Sequence, residues 1–307
     1  MSSNIKLMNI QNNIKNKTIY NKKTKLNNKS NTKSNTKSNT KINSKNNSNN
    51  NNTYIINKTN ISLIKNPALF LKENKNYPLF SYEGGDGFQC VKFNLKPQQA
   101  IRADAGTMNY MTTNIKINTS TGNMWSAVGR MFSGSSFFYN IFTNEGKNNG
   151  TINFSGINPG NIGAFYIPKG QSLNLVSDSY VCSTPNLIIT TNVRFGGVLL
   201  GYGLTFVHIE AVESDGIVWG ASFGNVIEKK IKPNESLKIN NGVIMGFEAN
   251  TEIHTDIVGG FTSTFFSGEG FVSNITNTGK KPLRMFLQSR SKTAYLRYLK
   301  NILHNRK

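Results

Sequence analysis

Three histidines stand in this chain, His208, His254 and His304, and two of them sit where chemistry is conceivable. His208-Ile209-Glu210 places an imidazole and a carboxylate on one face of an expected strand, because side chains alternate across a strand. His254, some forty residues on, could supply the third ligand of a facial metal triad of the kind that binds iron. Glu252 and Asp256 flank His254 on its own face, as a solvated polar face would, and nothing marks an Arg for a cosubstrate. Metal-dependent catalysis with His208, Glu210 and His254 is therefore the third-ranked reading. No Ser, His and Asp can be paired by spacing into a catalytic set, and Glu210, Glu213 and Asp215 near Trp219 read as an exposed connection. The expectation is a protein that is not an enzyme, with no catalytic, cofactor or metal residues assigned.

Other residues of chemical interest have plainer readings. Cys90 and Cys182 are far apart, lack CxxC spacing and alternate with apolar neighbours, so they read as small buried hydrophobes. Three Gly/Ser-rich stretches, Phe132–Phe138, Gly201–Phe206 and Phe266–Val272, invite comparison with phosphate cradles. They lack the following Lys-Ser/Thr and a helix start, so they read as strand approaches.

The elements that must position these residues come from an internal repeat. Leu95-Lys96-Pro97-Gln98-Gln99, Ile167-Pro168-Lys169-Gly170-Gln171 and Ile231-Lys232-Pro233-Asn234-Glu235 overlie one another at spacings of 72 and 64 residues. Each is a strand end, a Lys/Pro turn and a second strand, followed by a corner at Gly106, Asp178 or Gly242. A corner of that kind favours a residue tolerant of positive φ, as Gly and Asp are. A long period without helical patterning describes a β-domain of three similar modules around one core. The expected fold is all-β, with a β-domain over residues 77–290.

Charge is confined to the ends. Residues 1–72 hold fourteen Lys and no acid, and nine more Lys and Arg follow Glu269 without one. Those 23 leave 13 basic residues against all 15 acids, about −2, in the middle, although the whole chain is +21. A globular nucleic-acid binder carries its positive patch on the folded surface, so nucleic acid ranks below other partners and would act mainly through the tails. The segment 1–76, with Ser30-Asn31-Thr32-Lys33 recurring through Lys41, reads as a disordered Asn/Lys-rich tail, with a mitochondrial presequence as the competing reading. Without import the protein would be cytoplasmic. No apolar run is long enough to span a membrane.

At residues 291–307 the period changes. Tyr295, Tyr298, Leu299, Ile302 and Leu303 fall on one helical face, with Arg297 and Lys300 on the other. This is a basic amphipathic helix suited to docking on the β-domain, a partner or a membrane surface.

With the modules in view, Leu95 to Gln288 resembles the family named for altered inheritance of mitochondria (number 24), also described as mitochondrial biogenesis proteins. Asp104-Ala105-Gly106-Thr107-Met108-Asn109-Tyr110-Met111, Phe266-Ser267-Gly268-Glu269-Gly270-Phe271 and Met285-Phe286-Leu287-Gln288-Ser289-Arg290 carry the resemblance. It implies a double-stranded β-helix of three pseudo-symmetric repeats, similar to the tryptophan RNA-binding attenuator-like superfamily, and a tie to mitochondrial inner-membrane organisation. It brings no catalytic motif. The resulting expectation is a scaffold that organises proteins or a membrane surface, with a nucleic-acid binder as the alternative and self-association left open.

Overall fold

The computed structural model describes residues 59–119, 139–190, 204–249, 252–257 and 272–304, and in them the chain is overwhelmingly antiparallel β. Strand β1 (Ser62–Leu63), helix α1 (Pro67–Glu73) and strand β2 (Leu79–Glu83) come first. Asn66 starts α1 by accepting from the Leu69 N–H at 3.0 Å, with Pro67 at the first helical position, where its missing N–H costs nothing.

Three units of six strands follow. The first holds β3 (Cys90–Leu95), β4 (Ala100–Asp104), β5 (Met108–Met111), β6 (Ile115–Thr119), β7 (Tyr139–Asn144) and β8 (Gly150–Ser155). The second holds β9 (Ile162–Ile167), β10 (Ser172–Val176), β11 (Tyr180–Ser183), β12 (Ile188–Thr190), β13 (Phe206–Glu210) and β14 (Gly216–Ala221). The third holds β15 (Val226–Ile231), β16 (Ser236–Asn240), β17 (Ile244–Glu248), β18 (Ile253–Ile257), β19 (Val272–Asn277) and β20 (Leu283–Gln288). Within every unit the first and third strands pair with the sixth, and the second and fourth pair with the fifth. Helix α2 (Lys292–His304) ends the described chain.

The Lys/Pro turns do the same job three times. Gln98, Gly170 and Asn234 all take positive φ, at 65°, 77° and 63°. Gln99 and Glu235 fold back to accept from the Lys96 and Lys232 N–H groups, each at 2.8 Å. Behind two of the turns a buried Asn ties the unit together. Asn144 donates to the carbonyls of Leu95 and Asn148, and Asn277 donates to those of Ile231 and Lys281. In the second unit Ala211 holds this place, and only its backbone bonds remain.

Units join edge to edge. Pairing of β11 with β4 makes a seven-stranded sheet, and pairing of β10 with β17 makes a six-stranded one. The equivalent third junction would join β16 to β5, yet each of these stays at the edge of a separate sheet. A register irregularity recurs in all three third strands, before Tyr110, Cys182 and Gly246. At Gly246 a Cβ would lie 2.4 Å from the Asn174 carbonyl oxygen, so β17 reaches β10 because that residue is small. At the matching position β5 has Tyr110, whose hydroxyl bonds Glu83 within its own sheet.

Apolar faces fill the space between sheets. Val91, Phe93 and Phe154 meet Ile101, Phe142 and Trp219, with the Trp219 ring 4.8 Å from Phe93 and nearly perpendicular to it. Phe165 and Leu175 meet Phe286 in a second cluster, and Ile239, Phe247 and Met285 form a third. Each such side chain contributes about 1.5–3 kcal/mol by leaving water.

The expected tail boundary at residue 76 is too late. Ile61, Ile64, Phe70 and Leu71 are buried, β1 pairs with β9, and Arg284 Nη1 donates to the Ile61 carbonyl at 2.6 Å. These few apolar residues cannot form a core alone, which is why their Asn/Lys surroundings masked them. The reading of residues 1–58 as tail or presequence lies outside the described residues, as do the Gly-rich stretches apart from Leu204, Thr205, Phe206 and Val272.

Candidate functional site

The three corner residues do different work. Gly106 has φ +86° in the turn from β4 to β5. Asp178 and Gly242 instead lie in 3-10 turns, Ser177–Ser179 and Asn241–Val243, and neither takes positive φ. The positive-φ expectation is corrected at these two positions. Both hold the start of α2: Asp178 binds the Lys292 ammonium, and Gly242 lies so close that a Cβ would stand 2.3 Å from Ser291 Oγ. Ser291 caps the helix by accepting from the Ala294 N–H at 3.2 Å. The Tyr295 ring rests 5.2 Å from that of Phe223.

Beyond that clasp the helix stands largely in solvent. Leu296, Tyr298 and Leu303 are 53%, 61% and 68% exposed, and no residue of α2 is buried. Leu299 and Ile302 are half-buried, while Arg297 and Lys300 are exposed. On a helical wheel Tyr298, Ile302, Tyr295, Leu299, Leu303 and Leu296 make one continuous apolar arc, with Lys300, His304, Arg297 and Asn301 opposite. Leu296 belongs to this face although sequence reasoning left it out. It is found by continuing the i, i+3, i+7 row through Leu299 and Leu303.

The third-ranked metal triad of His208, Glu210 and His254 is not assembled. His208 lies on β13 of the six-stranded sheet and its Nδ1 is 2.8 Å from Asn174 Oδ1. Burial lowers its pKa, against the opposing pull of Glu210. His254 lies on β18 of another sheet and pairs with Asp256 at 3.0 Å on the surface. Among the described residues no group of three His, Cys, Asp or Glu side chains could hold a metal. Cys182 is fully buried, which pushes its thiol up, and Cys90 accepts from Asn153 Nδ2 at 3.2 Å.

Polar clusters unsuspected from sequence lie elsewhere. A groove of about 710 Å³ beside the end of α1 is lined by Lys75, Tyr77, Gln99, Asn186 and Asp215. Asp215 is no loose connection, since it accepts from the Tyr166 hydroxyl and from the Lys169 N–H. Burial and Asp215 push Tyr77 up to about 12. On the four-stranded sheet, Glu83 of β2 accepts from Lys92 Nζ and the Tyr110 hydroxyl, both at 2.7 Å, which holds its carboxyl below the usual range. On the six-stranded sheet, Arg284 lies between Glu248, at 3.6 Å, and Glu228, at 3.9 Å.

Fold and surface together define a protein of three linked antiparallel β units carrying an exposed, basic amphipathic helix. A crystal structure of a protein from Streptococcus pyogenes is similar, with a TM-score of 0.59 and 20% identity over 74% of this chain and 100% of that one. At that identity the likeness speaks for the fold. No curated protein matches. The family profile described as Mitochondrial biogenesis AIM24 matches residues 80–290, and the chain belongs to that family. Among the described residues no helix is long and apolar enough to cross a membrane.

Proposed function

We propose that this chain is a non-enzymatic β-scaffold that α2 holds against an anionic membrane surface, with the mitochondrion as the setting that the family description supports and its inner membrane as the surface we propose. We read its three six-strand units as the pseudo-symmetric repeats of a double-stranded β-helix. The observation that carries the proposal is α2 itself: a helix clasped to the body at its first turn, with most of a continuous apolar arc exposed on the face opposite Arg297 and Lys300. Such a helix lies in the headgroup plane with its apolar face down. Each Lys or Arg near anionic lipid contributes about 1 kcal/mol before screening, and each large apolar side chain that leaves water adds a similar amount or more.

Vesicle flotation at physiological salt tests it, comparing the full chain, a chain ending at Arg290, and the double substitution Leu296→Glu with Leu303→Glu. The full chain floats with anionic vesicles and not with neutral ones, while both altered forms stay at the bottom. Equal flotation of all three would assign the binding to the Lys-rich amino terminus and refute the role of α2. No flotation of the full chain would refute the membrane reading outright.

A further inference from the structure

Strand β15 opens the third unit, and among the described residues its outer edge breaks a pattern set by the other two. In the first unit the outer edge of β3 carries β2, antiparallel from Leu79 opposite Asn94 to Glu83 opposite Cys90. In the second, the outer edge of β9 carries β1, with Ser62 opposite Tyr166 and Leu63 opposite Phe165. In the third, β15 is the last strand of its sheet, and among the described residues nothing pairs beyond it. Among the described residues, added strands thus fill two of three equivalent places.

The residues along the open edge differ in kind from those along the covered ones. Superposing the units by their first-to-sixth ladders puts Lys229 and Lys230 where β3 has Phe93 and Asn94 and β9 has Phe165 and Tyr166. Those are the positions that the added strands cover. Lys229, Lys230 and the following Lys232 are exposed, and Ile227 is 39% exposed. Lysines on an edge deter uncharged and basic strands, and so they deter the acid-free Lys-rich residues 1–58 of this chain. A strand that brings carboxylates turns the same charges into an attraction. The molecule already holds one such arrangement, since Glu83 on the added strand β2 binds Lys92 on β3 at 2.7 Å.

We infer that the outer edge of β15, from Val226 to Ile231, receives an extended segment of a partner protein in which acidic and apolar residues alternate. Backbone ladder bonds supply the grip, and the lysines select the charge. This deepens the scaffold reading by naming the class of protein to be held, and rests on that reading only for its purpose.

The test uses the full chain and two blocked synthetic peptides, one alternating Glu and Val and one alternating Lys and Val, read by hydrogen–deuterium exchange. At about ten times its Kd, the Glu-Val peptide slows exchange in Val226–Ile231 by roughly tenfold. The double substitution Lys229→Glu with Lys230→Glu abolishes that protection and transfers it to the Lys-Val peptide. Lys229→Gln gives a smaller loss and supplies the comparison should the double variant not fold. Protection confined to residues 1–58, or none, would overturn the inference. So would protection of Val226–Ile231 that rises with protein concentration in the absence of peptide, which would make a second copy of this chain the occupant. Flotation by α2 is unaffected by any of these substitutions, so failure here and failure of the membrane reading remain distinct.

Discussion

Replacing Glu248 by Gln should remove a fall in stability between about pH 4.5 and pH 7. The carboxyl closes β17, accepts from the Arg284 N–H at 3.2 Å and lies 3.6 Å from Arg284 Nε. A neighbouring guanidinium alone would lower its pKa. Arg284, however, spends Nη1 on the Ile61 carbonyl at 2.6 Å, and burial dominates, pushing Glu248 from 4.5 up to about 7. The unfolded chain then releases this proton near pH 4.5, while the folded chain keeps it until about pH 7. Over that window the native state binds more protons, so stability falls as pH rises, and the whole cost is felt above the folded pKa. A difference of about 2.5 pKa units at 1.36 kcal/mol each sets a ceiling of about 3 kcal/mol. Urea unfolding at successive pH values measures it as wild type minus Glu248→Gln, which cancels slopes shared by both proteins, including that from Asp104, raised to about 6 by burial. The variant should match wild type near pH 4.5 and exceed it by up to about 3 kcal/mol above pH 7. Parallel profiles would refute the argument that burial outweighs Arg284.

Asn277→Ala strips two carbonyls, Ile231 and Lys281, and the Gly279 N–H of their partner and should cost about 2–3 kcal/mol in denaturant unfolding; a loss below about 0.5 kcal/mol would mean water replaces the side chain freely. Gly170→Ala should cost about 1–2 kcal/mol, wholly from its positive φ, because nothing lies within 4 Å of the added carbon. The matching change Gln98→Gly should be neutral or slightly stabilising, and destabilisation equal to that of Gly170→Ala would contradict the shared turn geometry.

Much of the β body was legible because its punctuation is local. Lys96-Pro97-Gln98, Pro168-Lys169-Gly170 and Lys232-Pro233-Asn234 each state a turn in their own residues, and the structure puts a positive φ at the third residue of each. The helix after Ser291 was legible for the same reason, as periodicity and a cap are properties of one segment. What escaped depends on partners distant in sequence. Ile61 and Ile64 matter only because β9 and Arg284 receive the segment that carries them, and Asp178 matters because Lys292 arrives over a hundred residues later. His208 and His254 looked like a pair only until the strands were sorted into sheets. The opposite error arose at Asp215, which appeared unattached until Tyr166 and Lys169 closed on it.

The strap formed by Ile61 and Ile64 sets a limit on maturation. A peptidase trimming from the amino terminus would meet two side chains three residues apart that belong to different apolar clusters, Ile61 to that of Phe165 and Ile64 to that of Ala164. Digestion past Leu63 would remove β1 from β9 and deprive Arg284 of its carbonyl acceptor. The shortest durable form of the protein therefore starts upstream of this strap, some twenty residues before the family profile begins.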